Sequence, residues 1–479
     1  KNIMVYGLKK KIKKLRILVK TVLNNSLNNQ KKNFLNSEGS FLNFLQLSFL
    51  LCFLIICPFI SFSQEKIIGH GGPVKGLTVS KTGLLVSTSF DYSSIVWSVD
   101  KMNELASLTD HLAAVNVAKF SPDDKKLITG GDDMRVLVYD VEKLSINSSA
   151  RELGSHLGKV SDVEFSKNGD LMASSGWGGN VIIWDMHNEK EYLSTNAGHR
   201  GPINAVQFSN DGKYLYTSGY DGTIRKFDIF NNYSKGILVS HGWGINVFFK
   251  DEEKNSVIYG TTDGSVILYD FNENKEKLKI GDERTPVLTM CIDNSETIIA
   301  FGNAKGRVIM ISLEDYSLVR DFRAAHGPVW ALALKNDTTM LYVGGLDDFI
   351  NQWDLVTYPQ PVIVPPGPAR RFNPSLAMTN GEKQFARKCS VCHTLEPDGK
   401  RRAGPTLYKV FGRMAGTLEG YKFSQALLDS TIVWNEQTIH QLFTEGPDVV
   451  LPGTKMPIQR MKSSKDRVDL IKFLKEATE

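Results

Sequence analysis

Cys389-Ser390-Val391-Cys392-His393 places two thiols and an imidazole within five consecutive residues. The spacing C-x-x-C-H lets one turn of chain present two sulfurs and a ring nitrogen to a single flat object. It fits the attachment signature of a c-type haem. Cys389 and Cys392 would bond the porphyrin vinyl groups, and His393 would supply an axial nitrogen to the iron. Two other chemistries use C-x-x-C: a redox dithiol and half of a zinc cage. A dithiol has no use for the trailing His, and no second C-x-x-C exists to complete a cage. Downstream, Leu451-Pro452-Gly453-Thr454-Lys455-Met456-Pro457 carries a thioether between two prolines. Met456 as second axial ligand would close the iron and raise its potential, which suits electron transfer rather than oxygen chemistry. A lone Met is more often core filler. Its loop setting, at this distance from C-x-x-C-H, favours the ligand.

The elements that must hold these groups are helical. Leu470, Phe473 and Leu474 recur at i, i+3 and i+4 and make one apolar helical face. Glu382 to Lys388 reads as a helix start after a Thr379-Asn380 cap. A domain of about a hundred residues buries a small core, so a haem at its centre should supply much of its stability.

From about Asn380 to Glu479, roughly a fifth of the chain, the sequence resembles a class I cytochrome c of the mitochondrial-like subgroup, a small all-α fold. The resemblance implies one covalent haem c, with Cys389 and Cys392 holding the ring and His393 and Met456 ligating the iron. It puts Gly381 and Phe385 in a first helix packed on a last helix that contains Leu470, and counts Phe385, Leu470 and Phe443 among the haem-pocket residues. It places Pro405 and Leu407 in the loop beside the axial His, and Arg413, Tyr421 and Trp434 around the propionates. Phe443 stands where the family usually has a Tyr near the Met sulfur, and Phe423 replaces another Tyr. Asp448 replaces a Lys of the docking face. Lys388, Arg402 and Lys455, with Lys400, Arg401 and Lys462, still bring positive charge toward the haem edge, where redox partners would dock. The plain alternative for such charges is a solvated face.

Upstream, a fixed period appears. Trp97, Tyr139, Trp184, Phe227, Tyr269, Ile311 and Trp353 close successive strand-like runs 42 to 45 residues apart, most followed by Asp. A second series is His70, His111, His156, His199, His241 and His326. A third is Asp91, Asp133, Asp221, Asp263 and Asp347. Gly178 and Lys305 interrupt the third series, and Glu283 the second. The pattern resembles the WD-repeat family, four strands per blade, and seven repeats imply an all-β seven-bladed propeller. Glu65 to Ile68 should add the outer strand of the last blade. The resemblance implies that the recurrent His and Asp form a hydrogen-bonded network with Ser/Thr and Trp inside each blade, and the periodicity argues for structure rather than metal or catalysis. His187 and His440 are off the period and read as ordinary polar residues. Cys291 reads as a buried free thiol.

Residues 1–63 are different in kind. A basic stretch, an apolar run over 44–60 and Ser61-Phe62-Ser63 follow the order of a signal peptide, with cleavage expected after Ser63. An uncleaved membrane anchor through 44–60 is the alternative. Haem c attachment requires an exporting, oxidising compartment, so a periplasmic or otherwise exported location is expected. The leader carries ten basic residues and one acidic, a net +9, against +5 for the chain. The remainder is therefore −4. Residues 379–479 hold sixteen basic and twelve acidic residues, which leaves −8 on the propeller and linker. No basic groove remains to suggest nucleic acid. The organisation expected is a leader (1–63), a propeller (64–354), a Pro-rich semi-rigid linker (355–378) and a cytochrome domain (379–479).

These readings converge on an exported electron carrier of a respiratory chain, not an enzyme, with the propeller as docking platform for redox proteins. Two alternatives stay open: a periplasmic haem-dependent reductase with the propeller in its active site, and a redox-sensing assembly scaffold.

Overall fold

Short runs rich in Val, Ile and aromatic residues, each ended by a Gly, Asp or Asn turn, pair most cheaply with their sequence neighbours. They do so seven times. In blade 1, strands Val74–Val79, Leu84–Ser89, Ser94–Ser98 and Asn103–Leu108 form an antiparallel sheet in sequential order. Five further sheets repeat it. The seventh holds Val329–Leu334, Met340–Gly345 and Phe349–Asp354, and its outer strand is Lys66–Ile68 from the start of the array. Lys66 pairs with Asn351, Ile67 with Ile350 and Ile68 with Phe349. The first strand thus closes the ring on the last blade, as its sequence position suggested. This computed structural model describes residues 66–144, 148–281, 284–356, 377–397, 404–421, 423–454, 456 and 459–478. The expected leader, the 44–60 anchor and linker residues 357–376 lie outside the described residues.

The core lies between blades, not within them. Ile128 and Val138 of blade 2 meet Val160, Met172 and Trp184 of blade 3. Ile67, Val74 and Trp97 meet Tyr342 and Ile350 where the ring closes. Second strands are therefore covered on both faces, so Leu85 to Ser89 are all buried. Outer strands such as Lys190–Thr195 stay largely in water. Close approach of blades needs missing side chains: a Cβ on Gly344 would lie 2.6 Å from Val74 Cγ1.

The His and Asp series stitch single blades together. His70 Nδ1 lies 3.0 Å from Asp91 Oδ2, and its Nε2 lies 2.7 Å from Ser87 Oγ, to which Trp97 Nε1 donates at 2.8 Å. His111 joins Asp133 and Thr129, and His199 joins Asp221 and Thr217. In blade 3, where Gly178 interrupts the series, Asn180 takes the aspartate's place 3.3 Å from His156 Nδ1. Blade 5 departs from the expected network. His241 Nδ1 accepts from the backbone N–H of Trp243 in its own loop, and Asp263 caps Thr261 instead. The Trp243 loop draws the imidazole outward, a local preference the spacing does not reveal. His187 pairs with Asp170 at the surface, and Arg467 Nε donates to His440 Nε2. Cys291 is a free thiol, partly rather than fully buried.

The C-terminal domain is all-α: α1 (Asn380–Lys388), α2 (Gln425–Leu428), α3 (Glu436–Glu445), α4 (Pro447–Val450) and α5 (Ser464–Thr478). Thr379 and Glu382 close a capping box at the start of α1. Asn435 and Thr438 do the same for α3. The two terminal helices cross at Gly381, where a Cβ would lie 2.6 Å from Phe473 Cβ. Asn380 Nδ2 ties that crossing by donating to Asp466 and Asp469 at 2.9 and 2.7 Å. Among the described residues no helix is long and apolar enough to cross a membrane. Gln64–Glu479, propeller and helical domain together, forms one compact unit.

Candidate haem site

Helix α1 ends at Cys389, and the chain turns tightly there. The amides of Cys392 and His393 both donate to the Cys389 carbonyl, at 3.0 and 2.8 Å. This turn points the two thiols and the imidazole into one cavity, open at its mouth. Cys389, Cys392, His393 and Met456 all line it. The remaining wall is mostly apolar, including Leu407, Val410, Leu427, Ile439, Leu442 and Leu474.

His393 is held by its unligated side. Its Nδ1 donates to the Pro405 carbonyl at 2.7 Å, which fixes the tautomer and leaves the Nε2 lone pair free. Burial lowers the imidazole pKa and keeps it neutral, while the Pro405 carbonyl works in the opposite sense. Gly404 lets the loop press on the ring, since a Cβ there would sit 2.7 Å from both ring nitrogens. Arg413 lines the cavity and donates to the carbonyls of Tyr408 and Thr406 at 3.1 and 2.7 Å. It braces the loop that carries Pro405. The Trp434 amide donates to the Arg413 carbonyl at 2.9 Å, which seats the indole beside it.

Of the residues expected around a haem, Pro405, Leu407, Arg413, Tyr421, Trp434 and Phe443 line the cavity. Phe385 and Leu470 do not. They pack behind the wall, where α1 meets α5, with Ile471 and Leu474. The helical period marks a buried face but cannot say which buried residue is one layer further back. Lys388 stands on the cavity wall. Arg402 and Lys455 lie outside the described residues. Asp448 pairs with Arg460 at 2.7 Å.

Sequence reasoning missed three polar members of the site. Ser424 and Gln459 line the cavity, and Ser424 Oγ and Gln459 Oε1 are buried with no hydrogen-bond partner among the described residues. Buried polar atoms are rarely left so. The third is Tyr92, which belongs to propeller blade 1. Two thiols, a neutral imidazole, a thioether, apolar walls and two orphaned polar atoms suit a flat apolar ring with polar substituents. The residues present fit a haem.

The comparisons agree. The family model for "WD domain, G-beta repeat" matches residues 102–140, 147–185, 190–228 and 316–354. The model for "Cytochrome c" matches 378–478. The cytochrome c of Gibberella zeae is 41% identical over 98 residues, covering 20% of this chain and 92% of that protein. Those of Sesamum indicum and Ginkgo biloba are 40% and 38% identical over 99 and 98 residues, covering 88% and 86% of their lengths and 21% and 20% of this chain. Homology of this kind implies a covalently bound haem c with its iron. By its C-terminal domain the chain belongs to the cytochrome c family, and it carries that domain behind a seven-bladed WD-repeat propeller.

Proposed function

We propose that this protein is an exported haem c electron carrier whose propeller docks its redox partner. The observation that carries the reading is the convergence of Cys389, Cys392, His393 and Met456 on one largely apolar cavity. A haem bound there would supply one-electron Fe(III)/Fe(II) chemistry. Cys389 and Cys392 would hold its ring, and His393 and Met456 would ligate its iron. The Pro405 carbonyl orients the imidazole, and the apolar walls exclude water. A closed His/Met pair leaves no position for oxygen chemistry. The test is the visible spectrum of the mature protein under carbon monoxide. A single low-spin haem c indifferent to carbon monoxide supports the carrier, and Met456→Ala should convert it to a carbon monoxide binder. Carbon monoxide binding by the parent protein would sink the reading.

Partner docking finds support on one propeller face. Leu157, Trp177, Tyr220 and Trp243 are 80, 54, 68 and 61% exposed. Their loops are successive neighbours: Gly178 abuts Leu157, Gly179 abuts Gly201, and Gly244 abuts Tyr220. A patch of three exposed aromatics and a leucine at adjoining loops has the composition of an interface core. Lys159 Nζ sits 3.4 Å over the Trp177 ring and adds a cation to it. Trp177→Ala with Trp243→Ala should weaken reduction by the native donor at unchanged folding. Equal rates would remove the docking role. Export is the companion proposal, from the leader-like residues 1–63 and the compartment that thioether formation requires. A mature N-terminus at Gln64 supports it, and a retained leader favours an anchor.

A further inference from the structure

Blade 1 contains a turn that differs from most of its sisters. Each blade links its second and third strands through a tight turn, and in blades 3 to 6 the residue at the left-handed position is Gly179, Gly222, Gly264 or Gly306. Glycine suits that conformation because it has no Cβ. Blade 1 holds Tyr92 there at φ +68°, and blade 2 holds Met134 at +69°. A bulky residue at positive φ is held against its preference, and such positions concentrate at functional sites. Tyr92 has a destination. It lines the haem cavity from outside the helical domain, and Cys392 and Tyr421, which line it too, are near enough to act on its phenol. The contact works in both directions: burial raises the Tyr421 phenol pKa, and Asp91 of the propeller is among the charges it feels. Burial likewise raises the Tyr92 phenol, with Tyr421 contributing. Met134 lines no part of the cavity.

We propose that Tyr92 is the propeller's own haem-pocket residue, so that the propeller face around blade 1 is an intramolecular docking surface closing the mouth of the haem cavity beside Cys392. This rests on the haem-binding reading and adds a function to the propeller apart from any external partner. The occupant of this surface is the cytochrome domain of the same chain. It is joined by a tether that keeps it at high effective concentration, and it differs in sign of charge, +4 on residues 379–479 against −8 on the propeller and linker. Electrons entering or leaving beside Cys392 then pass Tyr92 or wait for the propeller to lift away.

The test uses the full-length haem-loaded chain and two matched variants. Tyr92→Gly and Met134→Gly each install the residue that four sister turns already carry, so both should fold at least as well as the parent. Only Tyr92→Gly should open the cavity mouth. Three readouts serve: amide hydrogen exchange in segments 90–93 and 417–421, the midpoint potential, and the rate of haem reduction by ascorbate. Tyr92→Gly should speed exchange at 417–421, displace the potential and raise the ascorbate rate roughly two- to tenfold, the range one aromatic contact gives a two-state equilibrium. Met134→Gly should leave all three at parent values. Tyr92→Phe should stay near the parent if the ring does the covering. The proposal is overturned if Tyr92→Gly matches Met134→Gly in exchange and potential. A low-spin haem spectrum in every variant keeps that outcome separate from failure of the haem reading itself.

Discussion

The propeller and the cytochrome domain solve the same problem in opposite ways. The propeller buries apolar strands between similar neighbours, and in blades 1 to 4 a buried His joins a Ser or Thr to an Asp, with Asn180 serving for the aspartate in blade 3. Its core is distributed, and no single site holds it. Among its described residues the helical domain sets α1, α2, α3 and α5 around one largely apolar cavity. Its own side chains meet mainly at the α1–α5 crossing. Repetition makes the first region stable by itself, while the second depends on what fills its centre. Chemistry has settled in the second for that reason, since a domain that needs a filling can take a reactive one.

Four perturbations would break or sharpen this contrast. The largest effect belongs to Cys389→Ala with Cys392→Ala. Loss of the attachment should abolish the helical unfolding transition, roughly 5 kcal/mol or more, the whole stability of such a domain, and leave the β transition in place. Circular dichroism melts at helical and β wavelengths check it, and a joint collapse would mean the two regions are one cooperative unit. Next is Trp184→Ala, which empties a buried site between blades 2 and 3 and removes the donor to Ser174. It should cost about 3–5 kcal/mol in urea unfolding of the propeller and leave the haem potential unmoved.

The third perturbation is acid. Burial lowers the His156 pKa to about 4, and Asn180 offers no charge to offset it. The unfolded chain takes up that proton near pH 6.5, so the stabilisation is fully present above pH 6.5. It is lost as pH falls toward about 4, by roughly 3 kcal/mol in total. His199 is lowered by burial too and adds in the same sense as pH falls below 6.5. Burial works against the carboxylates of Asp91, Asp133 and Asp221, but a His and backbone N–H partners, joined by a hydroxyl at Asp91 and Asp221, hold all three below their ordinary value. Their contribution is present above about pH 4 and fades as pH falls through the lower folded values. Propeller melting temperature should therefore fall from pH 6.5 downward, and His156→Gln should flatten the upper part of that curve. The smallest effect is Thr379→Ala. It removes the α1 capping box and should cost about 1 kcal/mol in the helical transition alone.

Much of this was written in local spacing. C-x-x-C-H, the Met456 loop, seven repeats spaced 42 to 45 residues apart and the recurrent His and Asp all describe relations within one turn, one blade or one repeat. Such relations survive folding because the groups that make them are neighbours along the chain or repeat with the chain's own period. Misreadings arose where a second layer intervened. Phe385 and Leu470 share the period of the haem wall yet pack behind it. His241 keeps the right place in its series but bonds into the Trp243 loop.

Residue types and spacing carried C-x-x-C-H and the repeat count, each a relation between residues a fixed number apart, while the strand that closes the ring, pairing Lys66 with Asn351, came through the resemblance to WD repeats. Folding in three dimensions assigned Ser424, Gln459 and Tyr92 to the lining of the cavity. Tyr92 and Cys392 are three hundred residues apart in sequence. No period or motif links them, and only the resting place of one domain against another brings a propeller turn to the haem cavity.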